Sequence, residues 1–191
     1  MKLTTKSGYT VETMARNIIA LIQSASLDER SDGLRWYSEA QSVARNLADT
    51  GNADYLSLER AAGIIAALSP RLHWSRNVEA AFTLVETGTC ATLTRSREQA
   101  LAILHGGAPM DVLGGLKTRA FAIAIQTGGN AGIPVVDTWA VRAATRGKFD
   151  EVSRARYADV AQAYEVAARR LSMRGHDAQA IAWVVIRGKA A

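Results

Sequence analysis

The feature that most constrains the fold of this chain is a helical spacing of apolar residues that continues from one end of the sequence to the other. In the first such segment, from Val11 to Ser24, apolar side chains recur on one helical face, and Thr10 stands where an N-cap belongs. Alternating patterns of the strand type are nearly absent. About ten helices can be placed along the chain. The sequence therefore predicts an all-α fold.

Capping residues, glycines and prolines predict where the other helices begin and end. The helix from Ser57 to Leu68 contains the almost unbroken apolar run AAGIIAAL, and a helix that is apolar on all sides is buried. It is therefore predicted to be the centre of the core. Further helices are predicted from just after Asp32 to near Gly51, from Arg76 to Thr87, from a capping box of Ser96 and Gln99 to Gly106, and from near Lys117. Three helices follow. One begins at Asp137, and a long one runs from Ser153 to Arg174, where Gly175 ends it. The last is capped by Asp177 and ends near Arg187.

The overall composition is typical of a soluble globular protein, with 48% hydrophobic and 21% charged residues. A chain of 191 residues suffices for one well-packed domain or for two small helical lobes that share a cleft. The net charge of +5 and the isoelectric point near 9.7 favour a polyanionic partner, because Lys and Arg displace counterions from phosphates.

Cysteine content and the N-terminal residues narrow the class of protein further. Cys90 is the single cysteine, which excludes an internal disulfide and any four-cysteine zinc or iron–sulfur site within one chain. The histidines share no ligand spacing, so neither a metal nor another cofactor is expected. The start MKLTTK lacks the apolar core of a signal peptide, and no apolar run approaches the length of a membrane span. The chain is therefore predicted to be cytoplasmic, with no membrane partner.

The most informative stretch runs from Asp111 to Arg142. It begins with the turn LGGL at 113–116, whose glycines allow backbone conformations that are closed to residues with a side chain. Such a turn can place bare amide N–H groups at the start of a helix, where the macrodipole favours an anion such as a phosphate. Asp137 follows an apolar run later in the stretch and precedes a new helix. A carboxylate at that position is a good N-cap.

Two motifs in this stretch carry a resemblance to a known family. The first is LGGLKT at 113–118, and the second is VDTW at 136–139, which places Asp137 twenty residues after Lys117. This order resembles the helix-hairpin-helix DNA glycosylase superfamily, whose pattern is a Leu-Pro-Gly-Val-Gly-x-Lys-Thr-Ala hairpin followed about twenty residues later by Val-Asp-Thr-His. The resemblance spans residues 57–187 and implies a helix-hairpin-helix glycosylase-like fold, with two helical lobes, a cleft between them and DNA as the partner. The missing cysteines suit a divergent branch, of phage type in one interpretation, without an iron–sulfur cluster.

The resemblance implies roles for residues of both motifs. Asp137 is the implied catalytic carboxylate, which steadies positive charge on the sugar or activates a water. Lys117 is either the nucleophile that attacks the sugar C1′ in bifunctional members or a phosphate contact. If Lys117 is aligned with the nucleophile of the family, the hairpin is one residue short. If no gap is introduced, Arg119 is aligned with the nucleophile instead, and an arginine cannot form a Schiff base. The residues implied to contact the DNA backbone are Gly114, Gly115, Leu116, Lys117 and Arg119.

The segment from Ser69 to Asn77 is a second candidate region, a loop with two arginines, a histidine, a tryptophan and an asparagine. In glycosylases of this fold the matching segment enters the duplex and lines the base pocket. Trp74 could therefore stack on a flipped base, and Asn77 could hydrogen-bond its edge or the orphaned partner base. The other implied pocket residues are Trp139, which replaces the His of the family motif, and Gln179, with Arg187 as a candidate phosphate contact.

Three functions fit these motifs. The first is a DNA N-glycosylase of the repair type, which flips a base out of the helix and hydrolyses its N-glycosidic bond. The second is a phage-type enzyme of DNA modification, which uses an amine to displace pyrophosphate from an activated hydroxymethyl-pyrimidine. The third is a non-enzymatic DNA-binding module. The chain is predicted to be one glycosylase-like domain, with residues 1–51 either part of the core at 52–191 or an added cap. The target base, the strandedness of the DNA and the oligomeric state stay open.

Overall fold

The computed structural model describes residues 9–50 and 56–188, which form ten α-helices and no β-strand. The prediction of an all-α fold is confirmed. None of these helices is both long and apolar enough to span a membrane. The helices are α1 (Val11–Gln23), α2 (Leu27–Asp49), α3 (Leu58–Leu68), α4 (Trp74–Thr87), α5 (Thr94–Leu104), α6 (Pro109–Val112), α7 (Leu116–Gln126), α8 (Thr138–Thr145), α9 (Arg154–Arg170) and α10 (Gly175–Arg187).

Three predicted helix starts are confirmed, and a side-chain hydroxyl caps each of them. At the start of α1, Oγ1 of Thr10 accepts a hydrogen bond from the Thr13 backbone N–H at 3.1 Å. Ser57 caps α3 and Ser153 caps α9 in the same way. Each hydroxyl satisfies a backbone N–H that has no partner inside its own helix, which is why these short polar residues mark the boundaries.

The predicted start of α2 is wrong, because the helix begins at Leu27 and not after Asp32. The Ser26 backbone N–H donates to Glu29 Oε2 at 2.8 Å, and the Glu29 N–H donates to Ser26 Oγ at 3.2 Å. These two reciprocal hydrogen bonds form a capping box, which was overlooked in the sequence. The predicted end of this helix near Gly51 lies outside the described residues, as does the boundary between the core and the added cap.

The predicted capping box at the start of α5 is also wrong. α5 begins at Thr94 after Leu93, and no described side chain caps its first N–H groups. Ser96 is instead buried in the first turn, and Gln99 donates from Nε2 to the Val112 carbonyl oxygen at 3.1 Å. The amide of Gln99 therefore ties α6 to α5 and takes no part in capping.

The boundary between α9 and α10 differs from the prediction as well. α9 ends before Arg174, and Ser172 follows it in a left-handed backbone conformation with φ of +53°. Gly175 does not end α9 but begins α10. A Cβ at Gly175 would lie 3.1 Å from the Gly132 carbonyl oxygen, so close packing of two segments explains this glycine. Asp177 lies inside the first turn of α10, where its carboxylate pairs with Arg174 at 2.7 Å.

The chain divides into two compact units. The first unit contains the described residues up to Trp36 together with those from Gly132 onward. The second unit contains the described residues from Tyr37 to Ala131. Each unit has a hydrophobic core of its own. The single glycosylase-like domain that the sequence suggested stays a prediction.

In the first unit, α1, α8, α9 and α10 pack together. Two polar contacts of α1 reinforce this packing. Asn17 donates from Nδ2 to the Ala144 carbonyl oxygen at 2.8 Å, and Glu12 accepts two hydrogen bonds from the Arg170 guanidinium, both at 2.8 Å. The core of the unit contains Met14, Ala15, Ile18, Ile22, Val136, Ala140, Val141, Ala143, Ala144, Val160, Ala163, Tyr164, Ala167, Ala168, Ala178, Ile181 and Ala182.

In the second unit, α3 is the central helix, as predicted. Every residue of its 61–68 segment is buried, and it packs against α4, α5, α6 and α7. A Cβ at Gly63 would lie 2.7 Å from the Pro109 side chain, so the contact between α3 and α6 requires a glycine. At the other end of α3, the Arg60 guanidinium donates to the carbonyl oxygens of Ile103 and Leu104. Both are end carbonyls of α5, and that of Ile103 also accepts the Gly106 backbone N–H at 3.1 Å.

Candidate functional site

Asp137 is the N-cap of α8, as predicted. Its Oδ1 accepts a hydrogen bond from the Ala140 backbone N–H at 2.8 Å, and its Oδ2 accepts one from the Trp183 indole N–H at 3.2 Å. The carboxylate is half-buried. Its orientation is therefore fixed from two sides, while each oxygen keeps a lone pair for a further donor or a developing positive charge.

Two tyrosine hydroxyls belong to the surroundings of Asp137. Burial raises the pKa of the Tyr164 hydroxyl far above its ordinary value, and the negative charge of Asp137 raises that pKa further. Burial also raises the pKa of Tyr157, again with a contribution from Asp137. Both hydroxyls therefore stay protonated at neutral pH, and their hydrogen bonds go to the backbone carbonyl oxygens of Ala140 and Pro134, each at 3.4 Å. Neither hydroxyl can act as a general base.

An aromatic and cationic cluster adjoins the Trp183 side of the carboxylate. The Trp183 and Trp36 rings lie 4.8 Å apart between centroids. The Arg187 guanidinium lies over Trp183 at 4.8 Å and over Trp139 at 5.9 Å, and Arg142 lies over Trp139 at 4.8 Å. These five residues, hereafter the tryptophan–arginine cluster, place two positive charges against aromatic faces.

The sequence predicts only part of this cluster. Trp139 and Arg187 were candidates, whereas Trp36 and Arg142 were not. The spacing from Trp139 to Arg142 places both on one helical face and could have indicated the pair. The stacking of Trp36 on Trp183 joins distant parts of the sequence, so no local pattern indicates it. Gln179, the remaining pocket candidate of this unit, is buried in α10 with 4% of its surface exposed.

The glycine turn of the second unit joins α6 to α7. Gly115 is the N-cap of α7, and no described side chain caps the first N–H groups of that helix. Leu116 and both glycines are exposed. The Arg119 guanidinium folds back and donates from Nε to the Leu113 carbonyl oxygen, which braces the turn. The turn therefore presents backbone N–H groups at a helix N-terminus, an arrangement that favours anions.

The conformation of the two glycines corrects one expectation. Neither Gly114 nor Gly115 has a positive φ in the left-handed region, and φ of Gly115 is −103°. The turn therefore does not need glycine for its backbone angles. A Cβ at Gly114 would lie 3.2 Å from Nη2 of Arg95, and one at Gly115 would lie 3.2 Å from Oγ1 of Thr118. These two positions are distinguished by close neighbouring side chains and by backbone N–H groups that no side chain caps. They are not distinguished by a special backbone conformation.

Lys117 brings together two regions that the sequence analysis treated separately. Its Nζ donates to Ser69 Oγ at 2.6 Å and lies 4.8 Å from the centre of the Phe121 ring. The Trp74 ring also contacts Phe121, with 6.4 Å between centroids. The side chain of Lys117 therefore links helix α7 to the end of α3, and Phe121 links α7 to the start of α4. Ser69 donates its own hydroxyl proton to the Ala66 carbonyl oxygen at 2.9 Å.

The predicted loop from Ser69 to Asn77 is helical only from Trp74 onward. α4 begins at Trp74 and not at Arg76, so Trp74 and Asn77 both lie in its first turn. Asn77 is buried, with 2% of its surface exposed, and its Oδ1 has no hydrogen-bond partner among the described residues. A buried amide oxygen without a partner costs free energy, which makes Asn77 a notable residue of this unit.

Comparison with known proteins identifies the family but gives no activity. The chain belongs to a family of unknown function, DUF7178, which it matches over residues 1–190. No curated protein matches the chain, and no solved structure matches it. The resemblance to helix-hairpin-helix glycosylases therefore stays a prediction from the residues of the two motifs.

Proposed function

We propose that this member of the DUF7178 family is a DNA-acting enzyme that flips a base out of the helix and cleaves its N-glycosidic bond. The observation that supports the proposal best is the environment of Asp137. Its half-buried carboxylate is oriented by the Ala140 and Trp183 N–H groups and adjoins the tryptophan–arginine cluster. A fixed negative charge beside aromatic and cationic surfaces suits a positively charged sugar with a phosphate on either side.

The proposed reaction breaks the bond between the sugar C1′ and the base nitrogen. The base leaves with the bonding electron pair and takes up a proton from solvent water, while positive charge develops on C1′ and the ring oxygen. The Asp137 carboxylate stabilises this charge electrostatically. A water then attacks C1′ and loses a proton to Asp137, which leaves an abasic site and a free base. Because the two N–H donors already hold the carboxylate, little reorganisation accompanies the step.

The tryptophan–arginine cluster supplies the proposed contacts to the nucleic acid on the side of Asp137. Trp139 is half-buried and offers a ring on which a base can stack. Arg142 and Arg187 each lie over a tryptophan face, where guanidinium groups can still bind phosphate oxygens in the plane of the fork. Gln179 stays a candidate for the pocket wall.

The second unit supplies the proposed grip on the DNA backbone. The N–H groups of the turn at Gly114, Gly115 and Leu116 suit a phosphate oxygen, with Arg119 bracing the turn. Lys117 is bound to Ser69 and stacked on Phe121, so attack on C1′ would require it to leave both contacts. We therefore favour hydrolysis by water over a lysine nucleophile. Trp74 remains the proposed base-contacting residue of this unit, whereas Asn77 is too deeply buried to reach a base without a rearrangement.

Base modification is the second candidate. In this reaction an amine attacks the methylene carbon of an activated hydroxymethyl-pyrimidine, the bond to the pyrophosphate oxygen breaks, and pyrophosphate leaves with the electron pair. Asp137 would accept the proton that the amine loses. The specific observation in favour is the pair of guanidiniums, Arg142 and Arg187, around Trp139, since two positive charges would stabilise a pyrophosphate leaving group.

The deciding experiment uses the purified protein, Asp137→Asn and a matched control, Glu165→Gln. Asparagine retains the N-cap of α8 but carries no charge, whereas Glu165 is an exposed acid on α9 of the same unit. Each protein is incubated with DNA that carries a panel of damaged and modified bases. Strand scission after alkali reports abasic sites, and nucleoside mass spectrometry reports base modification.

Alkali-labile sites that appear with the wild type and Glu165→Gln, and fall by at least about a hundredfold with Asp137→Asn, would support hydrolysis. A new nucleoside mass in an intact strand would transfer the proposal to base modification. If DNA binding is retained without either signal on the whole panel, the protein is a binding module and the enzymatic proposal is wrong.

A further inference from the structure

A cavity at the opposite end of α8 from Asp137 is not used by the proposed reaction. Its walls are formed by Tyr9, Thr13, Arg16, Asn17 and Arg146, and its volume is about 420 Å³. Asp137 is the N-cap of α8 and Arg146 is its C-cap, so the length of the helix separates the cavity from the carboxylate. The volume falls within the range of about 300 to 1,000 Å³ that is typical of small-molecule pockets.

The charge around this cavity is positive. Arg16 and Arg146 line it, and Lys148 lies over the ring of Tyr9 at 5.6 Å. The nearby acid, Glu12, is held by two hydrogen bonds to Arg170, which lower its pKa, and its distance to Arg16 is 4.0 Å. Arg16 and Arg146 therefore bring two guanidiniums to the cavity, and Glu12, which pairs with Arg16, is bound more closely by Arg170. This excess of positive charge favours an anionic ligand.

Asn17 gives the cavity a polar group whose orientation is fixed. The side chain is 8% exposed, and its Nδ2 donates to the Ala144 carbonyl oxygen at 2.8 Å. A carbonyl can only accept, so the amide cannot flip without losing this bond. Oδ1 is thereby left as the acceptor, and it has no hydrogen-bond partner among the described residues. The cavity therefore offers an acceptor of fixed orientation to an N–H or O–H group of a ligand.

We propose that this cavity binds a phosphorylated nucleoside. Arg16 and Arg146 bind the phosphate, and Oδ1 of Asn17 accepts a hydrogen bond from a base amino group or a sugar hydroxyl. The Tyr9 ring forms an apolar wall for the base or the sugar. Inorganic phosphate alone would leave much of the cavity of about 420 Å³ unfilled. The ligand is either a free mononucleotide or the 5′-phosphorylated end of a DNA strand, which present the same chemistry.

The test measures dissociation constants by calorimetry for the full chain with four probes. The probes are inorganic phosphate, a mixture of the four deoxynucleoside 5′-monophosphates, and one short oligonucleotide prepared with a 5′-phosphate or a 5′-hydroxyl. The variants are Arg16→Gln, which keeps the helix, and Arg146→Asn, which suits the left-handed conformation of that residue at φ of +52°. Arg169→Gln, an exposed arginine of α9, removes the same charge elsewhere in the unit.

We expect each cavity variant to weaken binding of the preferred probe roughly tenfold and Arg169→Gln to leave it within about twofold. Preference for mononucleotides supports a free nucleotide, and preference for the 5′-phosphate over the 5′-hydroxyl oligonucleotide supports a DNA end. Wild-type protein that binds inorganic phosphate alone, or none of the probes, overturns the proposal, as does binding that Arg16→Gln leaves unchanged. The outcome is independent of Asp137→Asn, because that residue lies at the other end of α8.

Discussion

At the scale of single residues, Asp137 combines a structural task with the proposed chemical one. Capping alone uses one oxygen, which accepts the Ala140 N–H. The second oxygen accepts the Trp183 indole N–H, although a tryptophan there has no part in capping. The extra donor fixes the carboxylate beside the tryptophan–arginine cluster. A side chain that only capped α8 would not require that second bond.

Tyr164 makes the stability of the first unit sensitive to alkaline pH. Burial and Asp137 raise its pKa above the unfolded value of 10.0, so its contribution to stability is complete below about pH 10 and is lost as the pH rises above that value. We expect Tyr164→Phe to reduce the slope of unfolding free energy against pH above about pH 10 by roughly one proton, or about 1.4 kcal/mol per pH unit. Urea denaturation of both proteins between pH 8 and pH 11 measures this slope.

Tyr9 is the matched control for this prediction, because Tyr9→Phe replaces a tyrosine of the same unit that is only half-buried. A slope that Tyr164→Phe leaves as steep as in the wild type would contradict the assignment of the alkaline transition to Tyr164.

The sequence predicts a contact of a single residue only when the two partners are close together in the chain. The cap at Asp137 is visible because the residue and its partner are three positions apart. The Trp36–Trp183 contact and the Lys117–Ser69 hydrogen bond are not visible, since they arise only when distant helices pack. The orphaned amide oxygen of Asn77 is likewise a property of packing.

At the scale of helices, the packing of α3 on α6 depends on the absence of a side chain at Gly63. A Cβ there would lie 2.7 and 2.8 Å from two carbons of the Pro109 ring. We expect Gly63→Ala to destabilise the protein by about 1–3 kcal/mol, because overpacking outweighs the better helix propensity of alanine. A double-mutant cycle with Pro109→Ala, followed by urea denaturation, tests the mechanism.

The cycle should give a favourable coupling of at least about 0.5 kcal/mol, since Pro109→Ala removes Cγ, the nearer of the two ring carbons that alanine at Gly63 would contact, and leaves only Cβ. Additive losses would show that the ring is not the cause. Removal of the proline also changes the first turn of α6. The free energy of unfolding of the single variant Pro109→Ala measures this effect, so that it can be subtracted.

The helices also show which boundary signals are reliable. The helices that follow Thr10, Ser57 and Ser153 are predicted correctly, because each hydroxyl lies only three residues before the N–H that it binds. The capping box predicted from Ser96 and Gln99 does not form, because Ser96 is buried and the Gln99 side chain donates to the Val112 carbonyl oxygen. Ser172, which follows α9, has a left-handed backbone conformation. Serine rarely adopts this conformation, so the sequence does not indicate it.

At the scale of the whole molecule, the net charge of +5 favours a polyanionic partner. If the proposed DNA binding is correct, it should weaken as salt is added. We expect Arg142→Gln to reduce the slope of log Kd against log salt concentration by about 0.9, the loss of one phosphate contact, for any DNA sequence. Fluorescence anisotropy with one duplex between about 50 and 200 mM NaCl measures the slope.

The control for this measurement is Arg154→Gln, an exposed arginine at the start of α9. Equal slopes for Arg142→Gln and the wild type would remove Arg142 from the proposed DNA contact. An equal reduction in both variants would indicate a general effect of net charge and would remove the specific role of the cluster.

The first unit is assembled from two distant parts of the chain, and this affects its folding during synthesis. Glu12 and Arg170, which pair across α1 and α9, are 158 residues apart in sequence. At about 5 to 20 residues per second, α1 would wait roughly 8 to 32 s before its partner helix leaves the ribosome. During that interval Met14, Ile18 and Ile22 have no native surface to cover them. Chaperone binding to the nascent chain should therefore concentrate on α1, and residues 37–131 can fold first.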